Sequence, residues 1–307
     1  MALIAVDCGG TNLAFGRYRP DGVGEPAGRR PAPPQADAIP AAIVEAITPL
    51  LDDAVEAVGI GVAGLVDHER GTLVWSPHAS GERVALGAEV AAAVGRPVVV
   101  DNDANLAALA EALVGAGIGH RMVLFVGLGT GIGGGLVVEG HIERGRGFLG
   151  EVGHMVVDPS GPQCACGHHG CWEALVSGTT LGRAAAELVR RDPQGGVARA
   201  AGGAAPRGEH LAAAAAAGDP AALAELAAAG ARLGRGLANL VAVLDPDVIV
   251  VGGAAAGAGE ALLAPARALL AETVEGGRSR PATPVVAARW GTGAGLVGAA
   301  LAAGGKG

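Results

Sequence analysis

Cys164, Cys166 and Cys171 fall within eight positions of one another, in Cys164-Ala165-Cys166-Gly167-His168-His169-Gly170-Cys171, and His154 precedes them in Gly150-Glu151-Val152-Gly153-His154. In a reducing compartment that spacing reads as a metal site before it reads as disulfides. Three thiolates and one imidazole make a closed tetrahedral set of the kind that holds Zn²⁺ structurally, and the glycines at 167 and 170 permit turns that aim the sulfurs inward. The fourth ligand stays open, because His168 and His169 compete with His154. Cys8 stands apart and reads as core. Glu151 and Glu173 flank the cluster, either as surface charges or as acceptors for hydroxyl groups.

A second kind of chemistry lies in two glycine turns, Asp7-Cys8-Gly9-Gly10-Thr11-Asn12 and Gly127-Leu128-Gly129-Thr130-Gly131. Phosphate binding needs backbone N–H donors at close range, which glycine exposes by lacking a Cβ, and threonine adds a hydroxyl. Either turn alone could be a plain hairpin. Asp7 cannot face phosphates without an intervening cation, so it reads as a holder of Mg²⁺ through water, or as a cap of the turn. Asp101-Asn102-Asp103 closes a strand and opens a helix. The positive helix end should hold Asp103 ionised, fit to take a proton from a weakly acidic hydroxyl, with Asn102 gripping a neighbouring hydroxyl. On spacing alone, helix capping explains both residues better.

The elements that must position these groups follow from apolar runs. Leu3 to Val6 and Leu13 to Tyr18 predict strands around the first turn; Met122 to Val126 and Ile132 to Val138 do so around the second. Residues 20–37, with Pro, Gly and Arg in no period, read as a mobile surface loop. Helices are expected over Ala38 to Leu50, Ala104 to Val114 and Pro220 to Leu244, and strands over Ala57 to Ala63, Pro97 to Val100 and Asp247 to Val251, the last running into Gly252-Gly253. Residues 191–218 predict helices joined by loose loops. A last strand-turn-helix runs from Val285 through Gly291-Thr292-Gly293 to Ala302. Two strand-turn-strand units suggest a duplicated α/β architecture: a small lobe over 1–115, completed by a returning helix at 292–304, and a larger lobe over 116–291 carrying the metal motif.

Half the residues are apolar but only 2% are aromatic, so Ala, Val, Leu and Ile must fill the cores. A formal net charge of −8 with scattered arginines argues against a nucleic-acid partner. Residues 1–6 lack the marks of a secretory signal. The longest apolar stretch, Met122 to Val138, is too broken by glycine to span a membrane, which takes roughly 20 apolar residues. These features predict a cytoplasmic protein with neither nucleic-acid nor membrane partners.

In order along the chain, Asp7-x-Gly-Gly-Thr11, Gly61-Val-Ala-Gly64, Asp101-Asn-Asp-Ala-Asn105, Gly127 to Gly135, the Glu151-to-Glu173 block, Gly230 to Pro246 and Gly252-Gly253 resemble the ROK family, and within it the zinc-containing bacterial glucokinases. The resemblance implies the two-lobed actin-like, hexokinase-type ATPase fold with ribonuclease H-like duplicated lobes and a cleft between them, and transfer of the ATP γ-phosphoryl to a hexose. It implies Asp103 as catalytic base; Gly64, Asn102, Asp103, Glu151, His154 and Glu173 at the sugar; Asp7, Gly9, Gly10, Thr11, Asn12, Thr130, Gly131, Gly252 and Gly253 at the nucleotide; and His154, Cys164, Cys166 and Cys171 on zinc. Glucose is the leading substrate, with fructose, mannose and N-acetylated hexosamines as alternatives, and a homodimer or homotetramer is the expected assembly. Family repressors add an N-terminal helix-turn-helix domain, whereas this chain opens on the first phosphate-turn strand; a sugar sensor without turnover is the remaining non-enzymatic alternative. Asn12 stands where the family usually has Lys, and Ser76-Pro77-His78-Ala79-Ser80-Gly81 replaces an Asn-Leu-Pro-Gly-Trp-like run beside the sugar, which leaves the hexose less defined than the reaction.

Overall fold

Two five-stranded sheets of the same strand order carry the fold. The computed structural model describes residues 2–307, Arg278 by its main chain alone; Met1, the start of the segment read above for targeting, lies outside them. The first sheet is built from β1 (Ala2–Cys8), β2 (Asn12–Tyr18), β3 (Gly24–Pro31), β4 (Val55–Val62) and β8 (Val98–Asn102), in the order β3-β2-β1-β4-β8. The second uses β9 (Met122–Leu128), β10 (Ile132–Val138), β11 (His141–Glu143), β12 (Val248–Gly252) and β13 (Val285–Ala287), in the order β11-β10-β9-β12-β13. In the first sheet β1 pairs antiparallel with β2 and parallel with β4, which is parallel to β8. In the second, β10 and β11 are antiparallel while β12 and β13 are parallel. The duplication expected from two glycine turns is therefore present as topology. Three short strands, β5 (Leu65–Asp67), β6 (Thr72–Trp75) and β7 (Glu82–Val84), form a separate small sheet.

Central strands such as β1 and β12 are buried nearly throughout, so they read as continuous apolar runs with no alternation. One expectation fails here. The predicted mobile loop over 20–37 contains β3, which pairs with β2 from Asn12↔Pro31 to Tyr18↔Gly24. Its side chains are almost all exposed, so no burial pattern announces it, and backbone hydrogen bonds alone define it. Pro26 and Pro31 are tolerated because the strand lies at a sheet edge.

By internal contacts the chain forms two units. The first runs up to Phe125 and takes in Gly135–Gly150 and Thr292–Gly307; the second comprises Val126–Gly134 and Glu151–Gly291. The linear division predicted between 115 and 116 needs correcting on this point. Residues 135–150 belong with the first unit because β11 packs on α3 (Asp103–Val114) and Arg144 hydrogen-bonds Asp101.

Within the first unit, α10 (Ala294–Ala303) is apolar on every face and almost wholly buried, packing on β1, β4 and α3. Close approach is possible only because its contact points lack side chains: a Cβ at Gly298 would collide with the Leu106 carbonyl of α3, and one at Gly59 of β4 with the Ala299 carbonyl. The second unit adds α4 (Trp172–Val176), α5 (Gly178–Arg191), α6 (Gly196–Ala201), α7 (Gly208–Ala216), α8 (Pro220–Leu244) and α9 (Glu260–Thr273). Asp219 caps α8 by accepting the Ala222 N–H at 2.9 Å, with Pro220 in the first helical position. No single helix among the described residues is long and apolar enough to cross a membrane; α7 and α8 reach the threshold only as a pair bent by 119°.

Gly298→Ala should lower stability by about 1–3 kcal/mol through overpacking against backbone that cannot rotate away. Gly257→Ala, where nothing lies within 4 Å, should be near neutral. Urea denaturation of both variants measures the difference.

Candidate active site

In the first unit, β8 ends where α3 begins, and the junction is tied from several sides. Asn102 caps α3: its Oδ1 accepts the N–H groups of Ala104 and Asn105 at 2.9 and 3.1 Å, and its Nδ2 donates to the Gly64 carbonyl at 3.0 Å. Gly64 and Asn102, both expected at the sugar, are thus in direct contact, and one amide hydrogen of Asn102 remains. Beneath them Asp101, only 2% exposed, accepts from Arg144 Nε at 2.9 Å, Arg144 Nη2 at 2.8 Å and Asn105 Nδ2 at 3.0 Å. His68 Nδ1 lies 3.4 Å from the same carboxylate and 2.9 Å from the Val100 carbonyl, which requires Nδ1 to carry its proton. A buried carboxylate so fully satisfied anchors the strand end.

Asp103 is half-buried at the first position of α3, its Oδ1 accepting the Ala104 N–H at 2.9 Å. Burial raises its pKa above the usual 3.8, opposed by the Ala104 N–H and by the charge of His78. The sequence predicts only the favourable helix-end effect; in the fold, desolvation outweighs it. Asp7 is pushed up to about 7, first by burial and then by the charge of Asp103, against a smaller opposing effect of Arg29. Its carboxylate lies against the start of α10, where a Cβ on Gly295 would stand 2.6 Å from Oδ2. In the first glycine turn the Gly9 N–H donates to the Asn12 carbonyl at 3.0 Å, and the His78 ring covers Gly10 so closely that a Cβ there would lie 2.6 Å from it. Arg29 and Arg144 were not identified from sequence, and His78 was read only as part of the altered segment 76–81. They reach the site from distant segments, and nothing in their local spacing marks them.

In the second unit the turn after β9 meets the end of β12: Gly253, at φ 82°, lies with its Cα against the backbone of Leu128, so a Cβ would come within 2.6 Å. The strand end that leads into Thr130 and Gly131 thus meets Gly253 at Leu128. Three bonds from α4 and the start of α5 hold the turn. Gly178 N–H donates to the Gly129 carbonyl at 2.9 Å, Thr179 Oγ1 to the Thr130 carbonyl at 2.7 Å, and Ile132 N–H to Glu173 Oε2 at 2.9 Å. Gly178 and Thr179 also went unrecognised in the sequence. Their one signal is Ser177, which caps α5 by accepting the Thr180 N–H.

Also in the second unit, donor atoms of His154, Cys164, Cys166 and Cys171 all lie within 4.8 Å of one another. Cys166 Sγ and Cys171 Sγ are 3.6 Å apart, and Cys164 Sγ is 3.9 Å from His154 Nδ1. A tetrahedral zinc centre with the usual bond lengths spaces its sulfurs about 3.8 Å apart and sulfur from nitrogen about 3.6 Å, so this donor set fits one. Burial raises the Cys164 thiol and pushes Cys171 up to about 12, whereas hydrogen bonds from His168 bring Cys166 down to about 6. Three sulfurs this close can all ionise only with a cation among them. Of the rival histidines, His168 meets Cys166 at 3.5 Å and His169 turns to the Gly161 carbonyl at 3.3 Å, while His154 belongs to the convergent group. His154 Nε2 lies 3.9 Å from Glu151 Oε2, so the ring links the donor set to that carboxylate.

Residues 3–305 match the ROK family. A glucokinase of Streptomyces coelicolor is 39% identical over 307 residues, covering 97% of this chain and 96% of its own, and a glucokinase of Thermotoga maritima is 36% identical over 273 residues, covering 87% and 86%. The crystal structure of a ROK family glucokinase from Streptomyces griseus in complex with glucose and AMPPNP superposes with a TM-score of 0.90 at 40% identity, covering 99% of each chain. By full-length sequence match and by fold, the chain is a member of the ROK family.

Proposed function

We propose that the protein is an ATP-dependent hexose kinase that converts glucose to glucose 6-phosphate. The observation that carries this reading is Asp103: a desolvated carboxylate with Oδ1 tied to the Ala104 N–H, in a chain whose full-length likeness is a glucokinase holding glucose and AMPPNP. Asp103 takes the proton of the attacking sugar hydroxyl as that oxygen bonds the γ-phosphorus and the bond from phosphorus to the β,γ-bridging oxygen breaks, releasing ADP. A raised pKa suits this task, because a stronger base takes more of the proton in the transition state. Asn102, held as a cap, has one amide hydrogen to offer a neighbouring hydroxyl, and Gly64 fixes its plane through the bond from Nδ2.

The amides of Gly9, Gly10, Thr11 and Asn12, and of Thr130 and Gly131 with Gly252 and Gly253, are proposed to bind the nucleotide. Asp7 is proposed to hold Mg²⁺ through water, a cation that would also offset the neighbouring charges of Asp7 and Asp103. Glu151, His154 and Glu173 are proposed as acceptors and donors to sugar hydroxyls. Zinc on His154, Cys164, Cys166 and Cys171 would supply a rigid cross-link that orients His154. We further propose a cytoplasmic location, where ATP and reduced thiols coexist, and a homodimeric or homotetrameric assembly, which sedimentation measures.

With ATP, Mg²⁺ and a panel of glucose, fructose, mannose and N-acetylated hexosamines, the wild type should phosphorylate glucose best. Asp103→Asn should lower kcat by about 10²–10⁴-fold; wild-type turnover in that variant, or no sugar phosphorylated at all, defeats the mechanism. Because the base acts deprotonated and burial raises its pKa, kcat/KM should fall as pH drops through a value above 3.8. For the metal, elemental analysis should find about one zinc per chain, lost in Cys166→Ala and kept in Cys8→Ala. Undiminished zinc in a folded Cys166→Ala protein would refute the ligand set.

A further inference from the structure

The turn Gly127-Leu128-Gly129-Thr130-Gly131 has little to hold it by itself. Its own bond runs from the Gly129 N–H to the Gly131 carbonyl at 3.0 Å, and its glycines leave the backbone free to wander. A turn that binds phosphate through N–H groups gains from having them aimed before the ligand arrives. The aiming comes from outside. Gly178 and Thr179 engage two successive carbonyls, those of Gly129 at 2.9 Å and Thr130 at 2.7 Å. In a trans peptide the N–H points opposite to the C=O of the same unit. Holding those two oxygens toward 178–179 therefore turns the N–H groups of Thr130 and Gly131 to the opposite side. The next peptide is held from both ends: the Gly131 carbonyl accepts the Gly129 N–H at 3.0 Å, and the Ile132 N–H donates to Glu173 Oε2 at 2.9 Å.

The holding segment is stiff and begins at the metal cluster. Cys171 is one of the four converging donors. Trp172 follows, its N–H donating to the Met155 carbonyl at 2.8 Å and its indole Nε1 to the Arg232 carbonyl at 3.1 Å, with the ring fully buried against Gly236. Glu173 comes next, and Thr180 Oγ1 bonds back to the Glu173 and Ala174 carbonyls at 3.3 and 3.2 Å. Few bonds in this path can rotate.

We infer that residues 171–179 form a strut that transmits the geometry of the cysteine cluster to the 129–132 turn, making Thr179 and Glu173 positioning residues for the nucleotide phosphates. This rests on the reading of that turn as a phosphate site. It gives Glu173 two oxygens with different duties: Oε2 holds the turn, and Oε1 is left for a sugar hydroxyl. The metal cluster, on this view, supports nucleotide binding as well as sugar binding.

The test is calorimetry of AMPPNP with Mg²⁺ in the absence of sugar, alongside KM for ATP and for glucose. Thr179→Val should weaken AMPPNP and raise KM for ATP by about 3- to 10-fold, the size of one lost neutral hydrogen bond, with KM for glucose and zinc content unchanged; Thr179→Ser should restore wild-type values. Glu173→Gln keeps an oxygen for the Ile132 N–H, so it should spare KM for ATP while raising KM for glucose. Protein stripped of zinc by a chelator should lose AMPPNP affinity and regain it on adding Zn²⁺. A Thr179→Val protein that binds AMPPNP like wild type, or that loses affinity for ATP and glucose equally, overturns the strut. If wild-type protein binds no AMPPNP and phosphorylates no hexose, the kinase reading itself falls, and the strut with it.

Discussion

A carboxylate that is to accept a proton has to be kept in place while its surroundings disfavour its charge, and under the proposed mechanism that constraint falls on Asp103. Burial raises its pKa, so the environment that makes it a stronger base also resists its ionisation. The opposing forces are local and cheap: the first amide of α3 and the charge of His78. Asp7, raised to about 7 partly by Asp103 itself, shows the same tension. The pair is a place where a divalent cation would relieve both groups at once.

Asp103 is fixed by the hydrogen bonds of the strand end around it. Asn102 caps the helix and reaches Gly64, while Asp101 collects Arg144, Asn105 and His68 below it. A strand end that exposes backbone to ligands loses ladder bonds. Side-chain bonds to Asp101 and Asn102 replace them. The same division of labour recurs in the second unit, where the turn is mostly glycine and its restraint comes from α4 and α5.

Close packing of backbone on backbone is the other recurrent device. With few aromatic residues to fill space, the fold brings helices and strands into direct contact at glycines: Gly59 and Gly298 around α10, Gly230 and Gly234 of α8 against the Leu262 and Ala266 carbonyls of α9, Gly236 under the Trp172 ring. Such interfaces give little when a ligand binds, so they suit a protein whose chemistry depends on placing a few amides and one carboxylate. The segment from Glu151 to Cys171 is loop for most of its length, and there the proposed metal on His154 and the three cysteines would supply the stiffness.

Much of the site was legible in the sequence because its chemistry is local. The cysteine spacing, the two glycine turns and the strand end at Asp101-Asn102-Asp103 each announce themselves within a dozen residues, and the helix from Pro220 to Leu244 follows from its cap and its period. β3 was not legible, since an exposed edge strand carries no burial pattern. Nor were Arg144 and Thr179, whose partners lie far away in the chain; Thr179 donates to Thr130 across 49 positions and Arg144 to Asp101 across 43. Sequence determined which groups could bind metal, phosphate and a proton, because those abilities belong to residue types and short spacings. Tertiary structure alone decided which of them meet, which histidine joins the cysteines, and how strongly each carboxylate resists its charge, because desolvation and long-range hydrogen bonds exist only once distant segments have packed.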